Sequence, residues 1–257
     1  MYDNLNMKQI LLITDGCSNK GDDPVQIARV AKTQGIAVNV IGIVDGGDLN
    51  SAGRQEVQEI AEAGGGLSRI VEARQLAMTM QMVTKHTVQM TIQQVVNKEL
   101  QQMLGTDSEG LPPQKRGDVA EMVERMSDEA ALQLALVIDT SASMIDKLPT
   151  VREAIRDLQI GLDVRQGQHQ VAILTFPASR QQDVQVVSDF SATPDLSSFS
   201  SQLQAGGSTP TGPALQAALG LFAGAKSKSK SATQHQQTVL PPKQEDEHDG
   251  DMAAYVV

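Results

Sequence analysis

Two apolar runs in this chain each climb to an aspartate that is followed at once by small hydroxyl or glycine residues. One is ILLITDGCSN, residues 10–19, which reaches Asp15; the other is LALVIDTSASM, residues 134–144, which reaches Asp139 and then offers Ser141 and Ser143. A run with no polar face cannot lie on a half-solvated sheet. Both therefore read as strands covered on both sides, the mark of a parallel sheet between layers of helix. In such sheets the functional groups collect in loops at the carboxyl ends of the strands. Two acids distant in sequence are thus expected at one edge of one sheet.

The surrounding pattern agrees. Residues 9–14 read as a strand, 24–34 as a helix with Pro24 in its first turn and Gly35 past its end, and 36–44 as a second strand. A helix at about 53–63 stops at Gly64-Gly65-Gly66, and 67–73 form a third strand. The first 75 residues thus run β-α-β-α-β, which implies parallel strands with right-handed crossovers. From 74 to 104 a long helical pattern places Leu76, Met80, Val83, Val88, Ile92, Val95, Leu100 and Met103 at apolar positions. It reads as an outer helix packed on the sheet. Its methionines suit either gap-filling or an adaptable groove.

Residues 105–114 read as a linker and 117–128 as a short helix, followed by the strand at 132–138. A helix at 148–162, strands at 170–176 and 183–190, and a helix at 213–223 complete the pattern. Beyond it, 225–257 are polar, Pro-containing and charge-blocked, and read as a disordered tail. The acidic cluster from Glu245 to Asp251 lacks the twelve-residue ligand spacing of a calcium loop and reads as part of that tail.

Aromatic residues make up only 2% of the chain and Trp is absent, so the core must be aliphatic and methionine-filled. A formal charge of −10 and a pI near 4.8 argue against a nucleic-acid partner and against docking on anionic membrane. The single cysteine, Cys17, excludes an internal disulfide and a cysteine-built metal cluster; it reads as a small apolar filler on its loop. No signal peptide is visible and no apolar run approaches the ~20 residues that span a bilayer, so a cytoplasmic protein is expected.

Three loops offer side-chain oxygen: Thr14-Asp15-Gly16, Asp139-x-Ser141-x-Ser143, and Ser208-Thr209-Pro210-Thr211-Gly212. None offers His or Cys. Two carboxylates with several hydroxyls suit a hard divalent cation, Mg²⁺ first and Mn²⁺ or Ca²⁺ after it. Serines after a strand also commonly cap the next helix, and the same residues can do both.

These residues carry a family resemblance. LVIDTSASM resembles the first element of a von Willebrand factor A domain, in which Asp-x-Ser-x-Ser opens a metal-ion-dependent adhesion site. GGSTPTGPAL resembles the second element and places its threonine ligand on Thr209. LLITDGCSNKGDDPVQIARVAKTQGIAVNVIGI resembles the third and places its aspartate on Asp15, and AEAGGGLSRIVEA resembles the approach to the last strand. The resemblance implies a Rossmann-like, doubly wound, mostly parallel sheet. It also implies a divalent ion held by Asp139, Ser141, Ser143, Thr209 and Asp15, whose open position takes an acidic side chain from a protein partner.

The order of the motifs departs from the family. Residues 1–75 resemble the later half of such a domain, 76–131 form a bridge, and 132–224 resemble the earlier half. Neither half repeats the other's elements, so two complete domains are excluded. Two separate half-sheets would each expose a long unpaired edge. One circularly permuted domain is expected, with the strand at 8–14 beside that at 132–138; a dimer exchanging halves satisfies the same pattern, and the long bridge favours the monomer.

An enzyme is less well supported. The four histidines, His86, His169, His235 and His248, lie outside the three loops, and no nucleophile elbow, P-loop or Gly-rich dinucleotide motif is present. A phosphoryl-transfer aspartate needs a neighbouring second acid, whereas Asp139 is followed by Thr140 and Ser141. A metal-free structural or regulatory scaffold is the remaining alternative.

Overall fold

The computed structural model describes residues 6–44, 51–178, 182–194 and 208–235, with side chains described as far as residue 224. The acidic cluster at 245–251 and most of the expected tail lie outside these residues. The chain divides into a unit of residues 1–222 and a C-terminal segment, 223–257.

The elements follow in the order β1 (Asn6–Thr14), α1 (Pro24–Thr33), β2 (Ile36–Val44), α2 (Ser51–Ala63), β3 (Gly65–Glu72), α3 (Leu76–Leu104) and α4 (Pro113–Glu129). β4 (Ala131–Asp139), α5 (Leu148–Asp163), β5 (His169–Phe176), β6 (Gln185–Ser191) and α6 (Thr211–His235) follow among the described residues. Six strands form one sheet in the order β3-β2-β1-β4-β5-β6. All neighbours pair in parallel except β6, which runs antiparallel along β5. The fold is α/β, Rossmann-like and mostly parallel.

β1 and β4 pair at the centre, from Asn6 opposite Ala131 to Ile13 opposite Ile138. Alternation along each strand sends neighbouring side chains to opposite faces. Leu11 and Ile13 of β1 join Leu134, Leu136 and Ile138 of β4 in a core shared with α3 and α5. Ile10 and Leu12 join Ala135 and Val137 in a second core shared with α1, α2 and the first turns of α6. The double cover explains why both strands read as unbroken apolar runs. Methionine does fill these cores where aromatics are missing: Met80 and Met144 are fully buried.

Among the boundaries that differ from the sequence reading, three are informative. α4 starts at Pro113, inside the stretch read as linker, because a proline fits a helix's first position where no N–H is needed. β3 begins at Gly65, so two of the three glycines read as a helix stop belong to the strand. α6 continues to His235, past residue 223, since no Gly or Pro follows Gly224 until Pro241. α3 packs against the sheet as expected, and buries Leu76, Met80, Val83, Val88, Ile92 and Val96.

Candidate metal site

The parallel pairing of β1 with β4 carries Asp15 and Asp139 to the same carboxyl edge. Asp139 closes β4 and is fully buried. Its Oδ1 accepts from the Ser141 backbone N at 2.8 Å, a local turn that an aspartate side chain favours. Its Oδ2 accepts from Thr14 Oγ1 at 2.7 Å, a bond that links residues 125 positions apart. Burial pushes the Asp139 carboxyl above the ordinary carboxylate range, and the nearby charge of Asp15 adds to the rise. The bonds from Thr14 and Ser141 pull the other way.

After Asp139 the chain turns sharply. Thr140 is fastened to the end of β5: its N donates to Phe176 O at 2.6 Å and its Oγ1 to Pro177 O at 3.1 Å. A 3₁₀ turn over Ala142–Lys147 follows, closed by Met144 N donating to Ser141 O at 2.9 Å and pinned by the buried Met144 side chain. This turn brings Ser141 Oγ and Ser143 Oγ to 3.2 Å of each other. Ser143 Oγ donates to Asp15 Oδ1 at 2.8 Å. Asp139, Ser141, Ser143 and Asp15 thus form one connected group.

The turn ends in a residue that the sequence reading missed. Lys147 Nζ lies 2.7 Å from Asp15 Oδ2 and 2.8 Å from the Ser143 carbonyl O, with side-chain exposures of only 9% for Lys147 and 4% for Asp15. Nothing in IDKLP sets this lysine apart from an ordinary surface residue. Its burial depends on Asp15, which lies 132 positions away. Thr14 was likewise read only as the residue beside Asp15.

Thr209 is held by its backbone to Ser18 and Asn19, beyond Asp15 on the same loop, and no hydrogen bond among the described residues links it to Asp139, Ser141, Ser143 or Asp15. The Thr209 N donates to Asn19 Oδ1 at 2.7 Å, and its carbonyl O accepts from Asn19 N at 3.2 Å and Ser18 Oγ at 3.4 Å. The two loops touch so closely that a Cβ at Gly212 would overlap the Asp22 carbonyl, and one at Gly21 would overlap the Pro213 ring. The buried hydroxyl without a hydrogen-bond partner in this loop is Thr211 Oγ1, two residues further on. Beside these loops Glu56 of α2 accepts from Ser18 N at 2.8 Å. Burial first, then Asp23 and Glu59, raise the Glu56 carboxyl. Cys17 is half-buried, and burial with the charge of Glu56 pushes its thiol up, against a reactive role.

Chemically, the site offers two carboxylates and a set of hydroxyls. Among the described residues there is no cluster of three or more His, Cys, Asp or Glu. The donor set is wholly oxygen, which fits a hard cation and not a soft one. An Asp139 with no exposed surface is poorly placed to attack a substrate.

A doubly wound α/β domain with an acid-and-hydroxyl site at its carboxyl edge is the class defined by this geometry. The chain belongs to the von Willebrand factor type A domain family, whose profile matches residues 133–240. It is similar to the uncharacterized protein YabS of Bacillus subtilis, with 48% identity over 220 residues, 84% of this chain and 89% of that protein. It is also similar to the crystal structure of an uncharacterized protein from Alicyclobacillus acidocaldarius. There the TM-score is 0.84 and the identity 47%, over 89% of this chain and 99% of that one. Members of the family generally serve as protein-interaction modules, often dependent on a divalent cation, and not as enzymes. Among the described residues no helix is long and apolar enough to cross a membrane.

Proposed function

We propose that the chain is a divalent-cation-dependent protein-interaction module that captures an Asp or Glu side chain of a partner protein. The meeting of Ser143 with Asp15 at 2.8 Å, beside Ser141 and Asp139, carries the reading. It gathers the acids and hydroxyls of two distant segments at the carboxyl edge of the sheet. The ion, Mg²⁺ first, with Mn²⁺ or Ca²⁺ as alternatives, would be held by Asp139, Ser141, Ser143, Thr209 and Asp15. When bound it supplies the positive charge that lets an acidic protein receive an acidic group. On this reading the domain is one family unit with its halves in exchanged order, and the long bridge of residues 76–131 favours a monomer over an exchanged dimer.

Calorimetric titration with Mg²⁺ and Mn²⁺ tests the proposal. Wild type should bind; Asp15→Ala and Asp139→Ala should not, while circular dichroism shows both still folded. Loss in Asp15→Ala is the informative result, because that residue lies in the opposite half from the Asp-x-Ser-x-Ser loop. Wild type that binds no metal at millimolar concentration would overturn the proposal in favour of a metal-free scaffold. One observation favours that second reading: Lys147 already neutralises Asp15.

A further inference from the structure

The buried ammonium at the site calls for an explanation of its own. A lysine normally keeps its charge in water, and burying it costs several kcal/mol unless a partner and hydrogen bonds compensate. Lys147 has both, in Asp15 Oδ2 at 2.7 Å and the Ser143 carbonyl at 2.8 Å. Its placement is built into the backbone. It is the last residue of the 3₁₀ turn that also carries Ser143, and the buried Leu148 follows it at the start of α5. The turn that presents the hydroxyls therefore also delivers a positive charge to the acid facing them.

We propose that Lys147 is a tethered cation that competes with the divalent ion for Asp15 and so sets the affinity of the site. This inference rests on the metal-binding reading given above. The charges make the competition unavoidable. With Lys147 in place, the two carboxylates and one ammonium carry a single net negative charge. A divalent ion then finds one uncompensated acid in place of two, and meets a like charge a few ångströms away. Tight binding requires the ammonium to leave Asp15. Where only a fraction of molecules has Asp15 released, the apparent dissociation constant rises by the inverse of that fraction.

The same arrangement has a use. Once the ion is bound, the site carries a net positive charge with Lys147 included, which favours a partner carboxylate. Without the ion, the ammonium satisfies Asp15. Lys147 makes the site respond to the ion as a switch between these two pairings and keeps ion affinity moderate. It is a positioning residue, acting through Asp15.

The test is a Mn²⁺ titration by calorimetry on wild type, Lys147→Met and Asp139→Ala, together with melting curves in EDTA. Lys147→Met should bind Mn²⁺ at least about tenfold more tightly than wild type, as expected if one molecule in ten has Asp15 released. It should also melt lower in EDTA, because Asp15 is left buried without its partner. The sign separates the proposal from a structural role, which predicts equal or weaker binding in the variant. Equal or weaker binding, with Asp139→Ala still abolishing the wild-type signal, overturns the role of Lys147 alone. Absence of Mn²⁺ binding in wild type and in Lys147→Met overturns the metal site as well. Should Lys147→Met fail to fold, Lys147→Gln keeps hydrogen-bond donors without the charge and is read in the same way.

Discussion

Thr14→Val removes the bond that joins the two halves of the chain at their centre, together with the longer local bond that Thr14 Oγ1 accepts from Gly16 N at 3.3 Å. The substitution keeps the branched shape of the side chain and replaces the hydroxyl with a methyl. Thr14 is 3% exposed and its Oγ1 donates to the fully buried Asp139 Oδ2 at 2.7 Å, so water cannot replace the lost donor. A hydrogen bond to a charged group contributes about 1.5–3 kcal/mol. For a unit of this size that corresponds to a melting temperature lower by roughly 3–12 °C. Urea denaturation in EDTA should show the midpoint falling with an unchanged slope. The control is the same substitution on an Asp139→Asn background, where the acceptor is neutral and the loss should shrink to about 0.5–1.5 kcal/mol. A Thr14→Val variant within about 0.5 kcal/mol of wild type, the range of an ordinary surface change, would refute the reasoning. So would a loss equally large on the Asn background.

Gly212→Ala places a methyl group against the Asp22 carbonyl. We expect a loss of about 1–3 kcal/mol, the usual range for forced overpacking, together with weaker metal binding as the Thr209 loop is pushed off its clasp with Asn19; unchanged values in both would contradict the close apposition. Glu56→Gln tests the raised carboxyl on α2. A carboxyl raised in the folded state contributes stability that is full below its unfolded value and is lost as pH rises through the folded one. Thermal melts at several pH values should therefore show Glu56→Gln gaining on wild type as pH rises above about 4.3; a difference independent of pH would count against it.

The sheet was legible because double burial leaves a plain mark: the apolar runs of β1 and β4 are covered on both faces, β1 ending at Thr14 just before Asp15 and β4 at Asp139 itself. The Asp-x-Ser-x-Ser loop was legible because its residues are contiguous. Lys147 was not, since a lysine at the start of a helix looks the same whether it meets water or a buried aspartate from a segment 132 positions away. The burial of Thr211 was not legible for a related reason: sequence offers two threonines in one loop, and only packing leaves the hydroxyl of the second buried and unpartnered. The start of α4 at Pro113 was within reach, as the same proline rule had already placed α1 at Pro24.

The central pairing of β1 with β4 also fixes an order of events during synthesis. The first 72 residues can assemble β1, β2 and β3 as soon as they emerge, but one flank of β1 then waits for a partner. Thr14 precedes Asp139 by 125 positions. At about 5–20 residues per second, the wait is roughly 6–25 s. Throughout it an apolar strand flank stands open on the growing chain, and Asp15 has neither Ser143 nor Lys147 beside it. The protein thus depends on its nascent N-terminal part remaining unaggregated for many seconds, and the proposed metal site stays incomplete until Thr209 has also emerged.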